Sequence, residues 1–164
     1  MDEIPPIFQG AGSGDEWYSA QLYALEEPSL RDRTAETYRF TCLRSFHEPF
    51  SIRVEKTENG GTLTFSMCDA PLSFSGGERI GKEQKSVGPE QIAQLEAMLK
   101  QKSFRRLPAT EENLALDGSD CIIETAADGS YHFVSRASPS KDNPVYEIGK
   151  YFIELSGQTI EDLY

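Results

Sequence analysis

Five side chains in the second half of the sequence could share chemistry: Asp117, Asp120, Glu124, His132 and Arg136. A carboxylate beside an imidazole favours the protonated ring, and a ring that titrates near neutrality can pass a proton. Whether the five converge depends on how two strand-like runs pair. Residues 121–125 and 131–134 flank Asp128-Gly129, and a slip of one residue moves every side chain to the other face. A two-residue Asp128-Gly129 turn sets Thr125 opposite His132 and Glu124 opposite Phe133, mixing charged and apolar groups on both faces. A three-residue loop, Ala127-Asp128-Gly129 with glycine in a bulge, is the next commonest choice. It pairs Ile123 with Phe133 and Thr125 with Tyr131 on an apolar face. The other face then carries Glu124 opposite His132 and Asp120 opposite Arg136, with Asp117 at its end. Opposite-charge cross-strand pairs contribute about 0.2–1 kcal/mol each, so the bulged register is the expectation. The strip reads as a binding surface for a polar ligand or partner, set against the plainer alternative of a solvated sheet face held by ordinary ion pairs. No nucleophile is placed by the sequence, so no catalytic residue is assigned and an enzyme is not expected.

Other chemistry is weaker. His47 and His132 are the two histidines, and they lack the close spacing of metal ligands; no metal and no cofactor are expected. Gly76-Gly77-Glu78-Arg79-Ile80-Gly81-Lys82-Glu83 fits a phosphate-loop pattern except at its last position. Glutamate there cannot offer the hydroxyl that holds Mg²⁺, and too few residues precede Pro89 for the required helix, so a nucleotide site is rejected. Cys42, Cys68 and Cys121 sit in apolar, strand-like surroundings with no paired spacing. A disulfide between two of them is open, but reduced core thiols are the expectation. A Cys42 or Cys121 thiol paired with a histidine lacks the electropositive setting of a nucleophile. Trp17, Tyr18 and Tyr23 are expected to dock on the domain itself, with a partner surface as the alternative.

The elements that must position these residues follow from periodicity. Residues 1–14 are rich in glycine and proline and read as a mobile arm, and a short amphipathic helix through Trp17, Gln21, Leu22 and Leu25 ends before Pro28. Residues 36–45, 49–56 and 62–68 read as strands, the second alternating Phe50, Ile52 and Val54 with polar residues. Asn59-Gly60 carries a hairpin signal. Residues 79–87 suit an edge strand. Gly88-Pro89 opens a helix with a stripe of Ile92, Leu95, Met98 and Leu99. After the hairpin, a last helix from Asn143-Pro144 buries Val145, Ile148, Phe152 and Leu155 and stops at Gly157. The expected fold is α+β: an antiparallel sheet of five to six strands with two main helices on one face. The chain divides into an arm with a short helix (1–34), one domain (35–157) and a loose tail (158–164).

The 164 residues suffice for one core, and 10% aromatic content argues against disorder. A net charge of -11 repels nucleic acid and anionic membranes and permits a basic protein partner. No apolar run reaches membrane-spanning length and no signal peptide is visible, so the cytoplasm is the expected compartment, with a trimmed leader as the open alternative. Tyr38-Arg39-Phe40 with Leu43-Arg44-Ser45-Phe46-His47, and Asp117-Gly118 through Glu124, Asp128-Gly129, Tyr131-His132, Arg136 and Pro139, resemble a family of small bacterial proteins. That family carries a YRF…LRSFH segment and a DG…E…DG-YH…R-SP hairpin. The resemblance spans residues 38–155 and departs at Cys121 and Ile122, where a tryptophan is expected. It implies a bacterial source and a shared fold rather than a reaction. Size, acidity and the lack of catalytic motifs point to a protein-interaction domain, an immunity-type toxin neutraliser being one version. The alternative is an enzyme or polar-ligand binder using Glu124, His132 and Arg136.

Overall fold

A computed structural model describes residues 3–69, 78–112, 118–161 and 163. Among them, β1 (Thr37–Arg44), β2 (Phe50–Thr57), β3 (Gly60–Cys68) and β4 (Arg79–Val87) run as a meander, and β5 (Ser119–Ala127) and β6 (Ser130–Ala137) form a hairpin. The hairpin docks against β1, giving an antiparallel sheet in the order β4-β3-β2-β1-β5-β6. The helices are α1 (Asp15–Ala24), α2 (Pro89–Gln101) and α3 (Pro144–Ser156). The α+β class and the sheet with α2 and α3 on one face are as expected.

Side chains alternate across a pleated strand, so β1, β5 and β6 each serve two cores. One face carries Phe40, Phe50, Ile52, Val54, Leu63, Ile123 and Val134, packed against Ile92 and Leu95 of α2 and Ile148 and Phe152 of α3. Asn143 caps α3 by accepting a hydrogen bond from the Val145 N–H, Pro144 starts it, and Gly157 ends it at φ 71°. Gly149 lets α3 approach, since a Cβ there would lie 2.6 Å from the Phe40 ring.

The other face is covered over β1, β5 and β6, while β4 at the far edge is exposed. Ile7, Phe8, Tyr18 and Leu22 cover Leu43, Ile122 and Phe133, with Phe8 edge-on to both Tyr18 and Phe133. The Phe8 backbone exchanges two hydrogen bonds with the Ser19 hydroxyl, which fastens the leading segment to α1. Residues expected to form a loose arm are therefore part of a second core.

Both turns differ from expectation. In the β5–β6 hairpin Ala127 pairs with Ser130, Thr125 with His132 and Glu124 with Phe133. The loop is the two-residue turn, with Asp128 at φ 51° and Gly129 at φ 71°, the signs of a primed turn whose twist matches the strands. The bulged register is wrong because it presumed a solvated face and sought countercharges within the hairpin; both faces are covered, and Glu124 finds its partner on β1. In the β2–β3 hairpin the two turn residues are Glu58 and Asn59, and Thr57 pairs with Gly60. Gly60 sits at φ 133°, where an added Cβ would lie 2.3 Å from the Val87 carbonyl oxygen.

The third correction concerns the cysteines. Cys42 and Cys121 stand directly opposite across β1 and β5 and form a disulfide. Cys68 is free and buried, and burial with the nearby Asp69 carboxylate pushes its thiol up to about 11.

Candidate functional site

The proposed strip is divided between the two faces of the sheet. Glu124 lies on the N-terminal face, where its Oε2 accepts a 2.6 Å hydrogen bond from Arg39 Nε and its Oε1 accepts one of 2.8 Å from the Tyr131 hydroxyl. Asp120 shares that face near Tyr18, and burial raises its carboxyl above the ordinary range. His132 and Arg136 lie on the helical face. The His132 ring is edge-on to Phe104 at 5.3 Å, and Arg136 Nε is 3.3 Å from Glu111 Oε1. Glu124 therefore cannot act on His132, and Asp120 does not meet Arg136. Asp117 lies outside the described residues, as do Gly76 and Gly77 of the rejected phosphate-loop pattern; the rest of that pattern from Arg79 to Glu83 lies in strand β4.

Glu124 belongs to a buried charge network that ties the connector after α1 to the sheet. Arg39 and Arg53 face each other across β1 and β2, and Glu27 Oε2 accepts hydrogen bonds from Arg39 Nη1 (3.3 Å) and Arg53 Nε (2.9 Å). Arg39 Nη1 also donates to the Pro28 carbonyl at 2.7 Å. Burial alone would lower the Arg39 guanidinium, but Glu124 and Glu27 outweigh it and hold its pKa above the ordinary value. With its charge matched on two sides, this cluster is built to hold the segment in place.

The helical face carries a different feature. A pocket of about 640 Å³ opens between the ends of β1 and β5 and the last turn of α2, continuing along the 3-10 turn Phe104–Arg106. Its lining includes Tyr38 and Thr125 from the sheet and Leu99, Phe104 and Ala127 as apolar surface. The rim is charged. Glu36 and Glu96 are bound to Lys56 at 3.0 and 2.7 Å, and the Tyr38 hydroxyl donates to Glu96 at 2.9 Å. Burial and that carboxylate hold the Tyr38 phenol above its ordinary value, so it stays a donor. Arg105 is occupied by the Ala127 carbonyl, Ser130 and Asp128. Lys100 and Arg106 line the same pocket, and neither has an ion-pair partner among the described residues.

Tyr38, Thr125 and His132 form one cross-strand row on the helical face. Thr125 is 3% exposed and lines the pocket, yet its hydroxyl has no hydrogen-bond partner. His132 Nε2, next in the row, is also buried without one. Buried polar atoms are paired in the great majority of cases, so the orphan Thr125 hydroxyl on the cavity wall marks a place for a guest. Of the five expected site residues, only His132 belongs to this row. Thr125 was legible only as a strand residue, because its importance depends on the register. Lys100 lies in the last turn of α2 and Arg105 and Arg106 follow it, and their clustering was the one signal available.

Among the described residues, no group of three or more His, Cys, Asp or Glu is placed to hold a metal ion, and no helix is long and apolar enough to cross a membrane. No protein-family model and no curated protein matches the chain.

Proposed function

We propose that this protein is a binding domain for a small anionic molecule with an apolar body, a carboxylate or phosphate ester held in the pocket between α2 and the β1–β5 seam. The observation that carries this is the unpartnered, buried Thr125 hydroxyl on the pocket wall. Lys100 and Arg106 supply charge for the anion, Phe104 and Leu99 a surface for the apolar part, and Thr125 a polar contact on the sheet side. Pockets of this size with a few convergent polar groups are the usual setting for such ligands. The test is a titration of the isotope-labelled protein with benzoate and with phenyl phosphate, followed by amide NMR. Shifts concentrated at residues 99–106 and 125–132 that vanish in Arg106→Ala are expected. Uniform or absent shifts with both probes would sink the idea.

A second reading is favoured by a separate observation. Phe46, in the β1–β2 connection, is 69% exposed, and the chain carries a net charge of -11. An exposed aromatic on a chain of net negative charge suits a basic protein partner, such as a toxin neutralised by an immunity-type protein; nucleic acid and anionic membranes remain unfavoured. A toxin gene beside this one, whose product binds the wild type and releases Phe46→Ala, is the expected result, and unrelated neighbours would remove the toxin version. The cytoplasmic expectation drew on reduced thiols as well as on the lack of a visible signal peptide; of these, the thiol ground is removed, since the Cys42–Cys121 disulfide favours an oxidising compartment.

A further inference from the structure

The second unusual concentration of orphan polar atoms lies on the N-terminal face, away from the pocket. Thr41, Ser51 and Ser66 stand directly opposite one another on β1, β2 and β3. All three are buried, and none of their hydroxyls has a hydrogen-bond partner. Glu27, whose Oε2 serves both arginines, has its Oε1 buried and unpartnered as well.

The chain that crosses this row is identifiable from its two ends. Leu22 packs in one cluster with Ile122, the neighbour of Thr41 on β5. Glu26 Oε2 lies 3.8 Å from Lys82 Nζ, and Lys82 is the neighbour of Ser66 on β4. Residues 22–26 therefore run over the three hydroxyls from one side to the other, with Leu25 fully buried between them.

We infer that an enclosed chamber lies between this segment and the sheet, and that it is filled by ordered water bridging Glu27 Oε1 to the hydroxyls of Thr41, Ser51 and Ser66. Three hydroxyls left dry would each carry the full penalty of a buried group without a partner. A buried water typically makes about three hydrogen bonds to such groups. Hydroxyls can donate or accept, while a carboxylate oxygen only accepts, so waters that donate to Glu27 and exchange bonds with the hydroxyls satisfy all four atoms; Thr41 and Ser66 stand two strand spacings apart, about 9–10 Å, which takes more than one water. A cation is the wrong guest, because the Glu27 charge is already matched by Arg39 and Arg53.

A high-resolution crystal structure of the full chain, with thermal unfolding of Thr41→Val, tests the inference. Valine keeps the shape of threonine and removes only the hydroxyl's bonding. The expected result is solvent density within hydrogen-bond reach of at least two of the four oxygens, and a Tm lowered by about 2–4 °C, the shift of a lost hydrogen bond in a chain of this size. A dry, closed seam overturns the inference. So does a Tm that is unchanged or raised in Thr41→Val, since an orphan hydroxyl replaced by methyl relieves a penalty.

Discussion

Arg39 and Arg53 face each other across two strands, an arrangement that two bare guanidinium groups would resist. Glu27 between them and Glu124 beside Arg39 reverse the sign of that interaction, so the cost appears only when one member is removed. Arg39→Leu leaves two glutamates buried with too little positive charge and is expected to destabilise the fold by about 3–5 kcal/mol in denaturant unfolding. Thr125→Val is expected to behave in the opposite way. It removes a hydroxyl that has no partner among the described residues, so stability should hold or rise by up to about 1 kcal/mol, while binding of benzoate or phenyl phosphate weakens. Asp120 gives a pH-dependent case. Burial raises its native carboxyl above the unfolded value, so the native state holds more protons between the two values and stability falls as pH rises through that window. Asp120→Asn should therefore stabilise the protein at pH 7, and the gain should disappear as pH drops below the ordinary aspartate value of about 3.9. Unfolding curves at several pH values would read both ends of that difference.

Elements were more legible than their faces. The stripe Ile92, Leu95, Leu99 and the series Val145, Ile148, Phe152, Leu155 specify α2 and α3 because a helical period must bury one side, and Pro89, Pro144 and Gly157 mark their ends. Strand β2 announced itself by alternation. Register was not legible, because its usual criterion is one clean apolar face, and here the polar parity of β1, β2 and β5 is buried too. Arg39, lying between Tyr38 and Phe40, was the sign that a second layer must cover this face; Glu27, more than ten residues earlier, gave no local hint that it would meet both arginines. The site suffered for the same reason, since placing His132 beside Thr125 required the correct turn. Two substitutions probe the layers separately. Gly149→Ala should lose stability despite alanine's higher helix propensity, because its methyl would press into the buried Phe40 ring. Phe8→Ala should cost about 3 kcal/mol or more, as for a core phenylalanine, where a mobile arm would lose nothing measurable.

At the scale of the molecule, the disulfide and the sheet order join distant parts of the chain. The bridge spans 79 residues, and in the chain-entropy picture closing so long a loop is worth up to about 4 kcal/mol. Reduction should therefore lower Tm by several degrees, and Cys121→Ser should reproduce the shift and abolish its dependence on reductant. The placement of β5 against β1 also has a consequence in time rather than in energy. A ribosome delivers β1 through β4 as a nearly finished meander, but β1 keeps one edge open until β5 follows, some eighty residues behind its partner. During that interval Arg39 has no Glu124, Cys42 has no Cys121, and Phe8 has no Phe133 to rest on. A nascent chain of this protein is thus a half-built sheet with an exposed seam; its last hairpin closes the seam and completes the core under Phe8, and α3, later still, closes the other.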